Sequence, residues 1–311
     1  MLRPGRIARG QQRGYALGVA GCNAKRSFTF TRAVVRENAA ASLDGSVRCV
    51  TLCVDEPDES LGSRWFHSFS SPGMGIALAQ PEYAHHAVHL PIASSPYEVR
   101  TLSVELSASI VHVFCDSSDR FILPGSTQLE LRSLAPGDEI IASEPIGQGF
   151  SPVIAPFTLS NAMDDHHPLL FLAFNTDGIA AARSALMCPS LEAYADIAPT
   201  SLLYQSPSSA SAACVEHFDE WRSAGISVDL VTSVDDEQLP AGSSDEEVDR
   251  VSLLSHLVAL ESNKRFRDYI RSDPSDLVVA ASGLQSDLSA RVSRTLRGML
   301  VPSEHILFPS F

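Results

Sequence analysis

The segment LFLAFNTDGIAAARSAL, at residues 170–186, combines residue types that could form an anion-binding turn. The apolar run Leu169–Phe174 predicts a buried parallel strand, and Ile179–Leu186 predicts the start of a helix. Between them, Gly178 marks a tight turn of the kind that holds phosphates at a helix N-terminus. Asp177 also stands in that turn. At an effective dielectric constant near 20, two unit charges about 4 Å apart cost about 4 kcal/mol, or roughly a thousandfold in affinity. The favoured interpretation is that Asp177 instead caps the helix and uses the donors that a phosphate would need.

Other residue types that bind metals or act as nucleophiles are scattered along the chain. His85 and His86 are adjacent, and Asp164–Pro168 reads DDHHP, but both stretches lie in predicted loops, for which a solvated loop is the simpler interpretation. The six cysteines form no CxxC pair and are interpreted as reduced, mostly buried thiols, with a zinc site or a disulfide framework as the alternative. No GxSxG, HExxH or Walker pattern occurs. We therefore predict no metal site and no catalytic residue.

Charge is unevenly distributed along the 311 residues. The net charge of −14 argues against binding nucleic acid through the overall field, and no apolar run is long enough to predict a transmembrane helix. No acidic residue precedes Glu37, whereas this first stretch carries eight basic ones: Arg3, Arg6, Arg9, Arg13, Lys25, Arg26, Arg32 and Arg36. An arginine-rich, acid-free start predicts a mitochondrial or plastid targeting segment over residues 1–30, with a disordered basic arm as the alternative.

The first half of the remaining chain has the pattern of short strands joined by tight turns. RCVTLCV and LSVELSASIVHVF are alternating or β-branched, as strands are. SPGMG, LPGS and APGDE are turns in which proline presets φ and glycine supplies a positive φ. Residues 31–157 are therefore predicted to form an antiparallel Greek-key β-barrel.

From about His167 onwards, strands alternate with helices. PLLFLAF, TSLLYQS, ISVDLVTS and DLVVAASG predict strands, and the segments between and after them predict helices: GIAAARSALM, ASAACVEHFDEWRSAG, EEVDRVSLLSHLVALES and LQSDLSARVSRTLRGML. Alternation of this length predicts a doubly wound parallel sheet over residues 165–311. The fold class is thus a β-barrel followed by an α/β domain, in which ligands bind at the carboxyl ends of the strands.

The order of these pieces, together with several local phrases, resembles the ferredoxin–NADP reductase superfamily. PIASSP resembles the end of the flavin motif, GSTQLELRSLAPGDEI the stretch that meets the flavin pyrophosphate, and PIGQGF the segment that closes the barrel. LFLAFNTDGIAAARSAL resembles the nucleotide loop, VVAASG the late strand, and EHILFPSF the aromatic C-terminus. The branch that it resembles most is a plant plastid one known as a fruit protein. The resemblance implies an FAD-binding barrel and an NAD(P)-binding α/β domain.

In that family, an Arg-x-Tyr-Ser motif precedes the phrase IAS and binds FAD. The aligned positions here are Val88, Leu90 and Pro91, and loss of the arginine removes a charge-assisted hydrogen bond of about 1.5–3 kcal/mol. The resemblance therefore implies that FAD binding is weakened. Backbone groups and hydroxyls remain as candidate cofactor-binding residues, namely Ile92, Ala93, Ser94, Ser126 and Thr127.

The nicotinamide side departs from the family pattern as well. Of the turn residues Thr176, Asp177 and Gly178, only Gly178 matches the family's glycine-rich loop, and the family's Cys-Gly pair on the late strand is here Ser282 and Gly283. These five residues complete the list of candidate cofactor contacts. No basic residue near Ser206, Pro207 and Ser208 is available to read the NADP phosphate, so use of NAD(P)H is expected to be weak or lost.

Two classes of function follow from the resemblance. The first is a flavoprotein oxidoreductase that takes hydride from NAD(P)H, because the cofactor performs the redox chemistry and the protein orients it. The second is a non-catalytic structural or assembly subunit of an organellar complex, because a fold does not guarantee its ancestral activity.

Overall fold

The computed structural model describes residues 29–55, 65–106, 108–122, 128–151, 157–232, 274–284 and 286–310. Several predicted features lie outside the described residues: residues 1–28 of the predicted targeting segment, the LPGS turn, Ser126, Thr127 and the predicted helix EEVDRVSLLSHLVALES. Two six-stranded sheets and their helices form the described part of the chain. None of the helices in these ranges combines the length and the apolar character that a membrane span requires.

The first sheet is antiparallel and barrel-like, in the order β4-β3-β8-β1-β2-β5. Its strands are β1 (Phe30–Ala40), β2 (Arg48–Asp55), β3 (Gly75–Ala79), β4 (Val88–Pro91), β5 (Ala108–Cys115) and β8 (Glu139–Ser143). A small hairpin lies beside it, formed by β6 (Arg120–Ile122) and β7 (Gln128–Glu130). A single bridge between Ile92 and Val113 brings the two edge strands together without a continuous ladder. The sheet is therefore strongly curved but not closed.

One predicted strand of the barrel is in part a helix. LSVELSASIVHVF divides into the end of helix α2 (Pro96–Leu106) and strand β5. The helix begins in a capping box: the Glu98 amide donates to the Ser95 hydroxyl at 3.0 Å, and the Ser95 amide donates to the Glu98 carboxylate at 2.6 Å. Proline at the first helical position adds a preset φ. These start signals override the strand pattern that follows them.

The second sheet has the order β12-β11-β10-β13-β14-β9. Strands β10 (Leu169–Phe174), β11 (Thr200–Ser206), β12 (Ser227–Thr232), β13 (Val278–Ser282) and β14 (Ile306–Ser310) are parallel, and β9 (Gly149–Ser151) joins the β14 edge antiparallel. From β10 the chain builds outward to β11 and β12, and it then returns to build β13 and β14 on the other side. The junction of β10 and β13 is therefore the switch point at which doubly wound folds bind ligands.

Helices cover both faces of this sheet, which confirms the doubly wound prediction. On one face, Leu169, Phe171 and Ala173 of β10 pack with α4 (Asn175–Leu186) and with its neighbours α5 (Pro189–Ala195) and α6 (Phe218–Ser223). On the other face, Leu170, Leu172 and Phe174 pack with Val292 and Leu296 of α7 (Ser286–Gly298). The described chain also contains the short helices α1 (Trp65–Ser68) and α3 (Leu159–Asp164).

The helix predicted over residues 210–225 is shorter than expected. Cys214 has a left-handed φ of 63°, a short 3₁₀ turn follows it, and α6 begins only at Phe218. Gly225 ends the segment with a φ of +88°, as expected of a glycine that terminates a helix. The residues before Cys214 instead contact the turn between β1 and β2, through a bridge between Ala213 and Ser42 and a hydrogen bond from the Asp44 amide to the Ala210 carbonyl oxygen. This tertiary contact replaces the helical pattern.

The two sheets share one hydrophobic core. Ala41, Val47, Ala93 and Phe114 come from the barrel side, and all four belong to the same buried cluster as residues of α4 and β10. Each Å² of apolar surface that such contacts remove from water stabilises the folded state by about 25 cal/mol. The two halves of the described chain are therefore packed together by apolar contacts as well as by hydrogen bonds.

Candidate functional site

The switch point contains a helix where the sequence predicts a loop. Helix α4 begins at Asn175, directly after β10, and Asn175 itself takes a left-handed φ of 56°. Thr176, Asp177 and Gly178 accordingly lie in the first turn of α4 rather than in a separate turn. The prediction that Asp177 caps the helix is wrong, because the capping position is Phe174 and it has no side-chain hydrogen bond. Asp177 stands three residues further on, where a negative charge still complements the helix dipole.

Three of the predicted nicotinamide residues meet at this point and hold one another. The Ser282 hydroxyl donates to the Gly178 carbonyl oxygen at 2.9 Å. Gly283 has a φ of +77°, and a Cβ there would overlap the Phe174 carbonyl oxygen and lie 2.5 Å from the Gly178 nitrogen. A Cβ on Gly178 would in turn lie 2.8 Å from the Ser282 carbonyl oxygen. Both glycines therefore permit a close approach between the end of β13 and the first turn of α4.

An acidic cluster faces the first turn of α4 from the barrel side. The Thr176 hydroxyl donates to the Asp116 carboxylate at 3.0 Å, which joins α4 to the loop after β5. The Asp177 side chain is exposed to solvent, with other protein atoms close around it. This partial burial, followed by the charges of Asp119 and Asp116, raises the pKa of Asp177 to about 7.

Asp119 belongs to the same cluster. Burial is the main cause that raises its pKa to about 6, the charge of Asp116 adds to the rise, and a hydrogen bond from the Asp116 amide opposes it. Sequence reasoning missed Asp116 and Asp119. The signal that could have found them is the phrase DSSD directly after a strand, since such residues form tight turns at strand ends.

The predicted flavin segment is buried. Ile92 and Ala93 are 0% exposed and Ser94 is 1% exposed. The Ile92 amide donates to the Met74 carbonyl oxygen at 3.0 Å, and the Ala93 amide donates to the His112 carbonyl oxygen at 2.8 Å. The Ser94 hydroxyl accepts a hydrogen bond from the His112 amide at 2.7 Å. The polar groups that the sequence assigns to the flavin are thus bonded within the barrel.

Side chains of helix α4 donate hydrogen bonds to the carbonyl oxygens of Ala93 and Ser94 in this segment. The Arg183 guanidinium donates to the Ala93 carbonyl oxygen at 2.8 Å, and the Ser184 hydroxyl donates to the Ser94 carbonyl oxygen at 2.8 Å. Arg183 also forms an ion pair with Glu98 of α2, with nitrogen–oxygen distances of 3.2 and 3.3 Å. The side chains of this pair are only 8% and 21% exposed. Sequence reasoning missed Glu98, although the capping phrase SPYE marks it.

Val88, Leu90 and Pro91 on β4, which align with the flavin motif, have apolar side chains and apolar neighbours. Leu90 and Pro91 are buried, and Val88 is half-buried against the barrel core. Ser126 and Thr127, the other predicted FAD contacts, fall in the gap between β6 and β7 and lie outside the described residues.

The segment after β11, where the family reads the adenosine phosphate, contacts the barrel. The Ser208 and Ser211 hydroxyls are 2.9 Å apart, and the Ser211 hydroxyl lies 3.2 Å from that of Ser206. The Asp44 amide of the β1–β2 turn donates to the Ala210 carbonyl oxygen at 3.1 Å. This segment is therefore bonded to the barrel, although residues 207–210 remain exposed.

The described residues contain no group of three or more histidine, cysteine, aspartate or glutamate side chains that could hold a metal ion. His85 and His86 are exposed, as expected for a loop. His167, from the DDHHP stretch, instead bonds to Asp276 at 3.2 Å and lies beside His305 at the opposite end of the sheet. The described cysteines are free thiols, and burial raises the pKa of Cys49 to about 11, so this thiol stays protonated at neutral pH.

No protein-family model and no curated protein matches this chain. Solved structures do match it. The cytochrome P450 reductase GcoB of Amycolatopsis has a TM-score of 0.55 at 17% identity, over 94% of this chain and 73% of that chain. The ferredoxin–NADP+ reductase of Plasmodium falciparum has a TM-score of 0.53 at 12% identity, over 87% and 91%. The flavohem-like FAD/NAD binding domain of nitric oxide dioxygenase from Vibrio cholerae has a TM-score of 0.51 at 13% identity, over 89% and 97%.

These similar structures are flavin reductases of the ferredoxin–NADP reductase type, and the similarity confirms the fold class that the sequence predicts. The fold consists of a barrel-like antiparallel sheet followed by a largely parallel one. Because the sequence identities are below one fifth, the comparison supports the fold alone. Any chemical activity must be inferred from the residues of this chain.

Proposed function

We propose that this chain has a ferredoxin reductase-type fold without hydride transfer, and that it serves as a structural or assembly subunit of a mitochondrial or plastid complex. The observation that carries the proposal is that Ile92, Ala93 and Ser94 form hydrogen bonds within the chain itself. All three are buried. The Ile92 and Ala93 amides, the Ala93 and Ser94 carbonyl oxygens and the Ser94 hydroxyl are bonded to other parts of the chain. These are the residues from which the resemblance expects contacts to a flavin.

FAD would supply the redox chemistry of such a fold when bound, but it does not fit this segment. A flavin placed here would have to displace the Arg183 bond to the Ala93 carbonyl and the Ser184 bond to the Ser94 carbonyl. Each buried polar group left without a partner costs about 1–3 kcal/mol. Val88, Leu90 and Pro91 have no hydrogen-bonding side chain that could compensate for this cost.

A nicotinamide dinucleotide fits the first turn of α4 equally poorly. A pyrophosphate at this helix N-terminus would meet Asp177 together with Asp116 and Asp119, and like charges repel by several kcal/mol at close range. The Thr176 hydroxyl, which could donate to a phosphate, already donates to Asp116. This arrangement supports weak or lost use of NAD(P)H.

The second candidate function is weakened FAD binding in the barrel, as in the plastid fruit-protein branch with degenerate motifs. The observation that favours it is the stretch GSTQ, whose hydroxyls at Ser126 and Thr127 resemble the family's pyrophosphate contacts. Backbone amides and hydroxyls can hold a phosphate without an arginine.

The visible spectrum of the purified full chain separates the two functions. We expect a colourless, folded protein that does not quench FAD fluorescence on titration, because the flavin segment is already bonded internally. A flavin-binding reductase of the same fold serves as the positive control. Flavin absorption that bleaches on addition of NADH or NADPH would contradict the proposal, whereas saturable FAD uptake without bleaching would support the second candidate.

The cellular part of the proposal rests on the basic residues before Glu37. We expect residues 1–30, fused to a fluorescent protein, to direct it to a mitochondrion or plastid, because import favours arginine-rich, acid-free segments. Changing the arginines of this segment to glutamine should leave the fusion in the cytosol. Fractionation of the full chain should also find it in a complex much larger than its own mass of 33.4 kDa. Diffuse fluorescence from the unchanged segment, or a free monomer, would contradict this part.

A further inference from the structure

Helix α7 (Ser286–Gly298) packs on the face of the second sheet that is turned away from the first sheet. Val292 and Leu296 of α7 are buried in one cluster with alternate residues of β10. Within the described residues, this cluster contains no residue of the first sheet, whereas the cluster on the opposite face does. The side of α7 that faces solvent therefore lies outside the crevice between the two sheets.

Three arginines cross the solvent side of this helix. Arg291, Arg294 and Arg297 recur every three residues, so successive Cβ atoms are about 5–6 Å apart. Since each residue of a helix turns the chain by about 100°, Arg294 lies opposite Val292 and Leu296 around the helix axis. Arg294 and Arg297 are exposed, and Arg291 is partly exposed. We refer to these three residues as the arginine row.

The arginine row forms no ion pair with a carboxylate of the described residues. Arg297 donates one hydrogen bond, to the Ser293 carbonyl oxygen one turn earlier, at 3.3 Å. Glu304, the next acidic residue along the chain, accepts a hydrogen bond from the Ser303 hydroxyl at 3.2 Å. The row is thus a line of positive charge on a chain whose net charge is −14.

An exposed leucine follows the arginine row directly. Helix α7 ends in a Schellman motif: the Val301 amide donates to the Leu296 carbonyl oxygen at 3.1 Å. The Leu300 amide donates to the Arg297 carbonyl oxygen at 3.0 Å. Leu300 takes the left-handed position of the motif with a φ of 72°, which glycine adopts without strain and leucine does not. Its side chain is 73% exposed, so folding alone gives no reason for a leucine here.

We propose that the arginine row and Leu300 form a docking surface for an acidic helix of a partner protein. Residues three or four apart on a helix have Cβ atoms about 5–6 Å apart, which matches the spacing of the row. Residues on one face of an extended strand are about 7 Å apart and match it less well. Carboxylates of the partner pair with the three guanidinium groups, and an apolar residue one turn further along packs on Leu300.

A protein partner fits this surface better than an anionic membrane does. A partner helix contacts the arginine row alone, and at physiological ionic strength charges more than about 8 Å away are largely screened. A membrane faces a whole side of the molecule, whose net charge of −14 opposes an approach to anionic lipids. Basic clusters that bind such lipids also carry roughly four to eight lysines or arginines, and this row has three.

Fluorescence anisotropy of a labelled synthetic peptide, titrated with the full chain, tests this surface. The peptide is an alanine-based helix that carries glutamate every three or four residues along one face and a leucine one turn beyond the last glutamate. A matched peptide has glutamine in place of glutamate. We expect saturable binding of the glutamate peptide that added salt weakens, and no saturable binding of the glutamine peptide. Equal binding of both peptides, or binding of neither, would overturn the proposal.

A double substitution, Arg294→Gln with Arg297→Gln, assigns the binding to the arginine row. It should weaken binding of the glutamate peptide about tenfold, as the loss of two exposed ion pairs implies. The matched control, Arg36→Gln with Arg100→Gln, removes two exposed arginines from the first half of the chain and should bind as the unchanged chain does. Indistinguishable affinities of the two double variants would contradict the proposal.

The substitution Leu300→Gly separates a docking role from a structural one. Glycine relieves the left-handed strain, so the urea concentration at half-unfolding should not fall. Binding of the glutamate peptide should weaken roughly threefold, because the apolar contact with the leucine is lost. A lower midpoint of unfolding with unchanged peptide binding would assign Leu300 to the fold instead.

Sedimentation with vesicles of phosphatidylcholine and phosphatidylserine tests the membrane alternative. We expect the full chain to stay in the supernatant, because its net charge opposes binding to these vesicles. Retention on the vesicles that the Arg294 and Arg297 double substitution abolishes would identify a lipid-binding surface and overturn the proposal. None of these outcomes depends on whether the chain binds FAD, so this inference and the proposed function can fail separately.

Discussion

Replacing Gly283 by alanine is expected to lower the free energy of unfolding by about 3–5 kcal/mol. Two terms contribute. The φ of +77° is a left-handed conformation that costs a residue with a Cβ about 1–2 kcal/mol. The added methyl group would also overlap the Phe174 carbonyl oxygen and lie 2.7 Å from the Gly178 Cα. These neighbours are backbone atoms of β10 and α4, so the overlap is relieved only if the strand and the helix move apart.

Gly45 provides the matched control for this substitution. Its φ of +71° is nearly the same, but a Cβ there would meet no atom within 4 Å. Gly45→Ala should therefore cost only the conformational term of about 1–2 kcal/mol. Urea unfolding of both variants measures the difference, which isolates the steric term. Equal losses would mean that β13 and α4 are not in the close contact described above.

Replacing Arg183 by alanine is expected to cost about 3 kcal/mol. The substitution leaves the Glu98 carboxylate without its cation, and it leaves the buried Ala93 carbonyl without its donor. Removal of one partner from a buried ion pair is strongly destabilising because the other charge remains in a poorly solvated place. The partial exposure of Glu98 keeps the expected value at the low end of the range for such pairs. Chemical denaturation reports the loss directly.

The control for Arg183 is Arg222, which forms a surface ion pair with Asp219 at 3.0 Å. Both of these side chains are well exposed, and Arg222 also donates to the Val228 carbonyl oxygen at 3.2 Å, so Arg222→Ala should cost about 1 kcal/mol. A second variant, Glu98→Gln, separates the ion pair from the helix cap, because glutamine can still accept from the Ser95 amide. It should be less destabilising than Glu98→Ala. A loss at Arg183 no larger than that at Arg222 would contradict the role assigned to the buried pair.

The fold was largely predictable because its signals are local. The alternation in residues 165–311 and the proline–glycine turns in residues 31–157 are repeated many times, and together they specify two sheets of different kinds. The error over residues 102–114 arose where a helix start signal stood before a strand-like pattern. The error over residues 210–225 arose where contacts with the barrel outweighed helix propensity.

The candidate site was less predictable because its decisive contacts join residues that are far apart along the chain. Of the five residues named from the sequence, the structure brings Gly178, Ser282 and Gly283 into contact. The other two, Thr176 and Asp177, lie in the same turn of α4 as Gly178. Their partners were not identified. Thr176 bonds to Asp116, which lies 60 residues earlier, and nothing in either local pattern indicates that pairing.

The sequence alone determined the order of the elements and the two kinds of sheet, because each of these is a property of neighbouring residues. Only the tertiary structure decided what the remaining polar groups do. Arg183 and Glu98, 85 residues apart, meet because the barrel packs against α4. The same packing lets Arg183 and Ser184 donate hydrogen bonds to the carbonyl oxygens of Ala93 and Ser94. The same packing brings the Asp116 carboxylate to the Thr176 hydroxyl, a contact that no local pattern indicates.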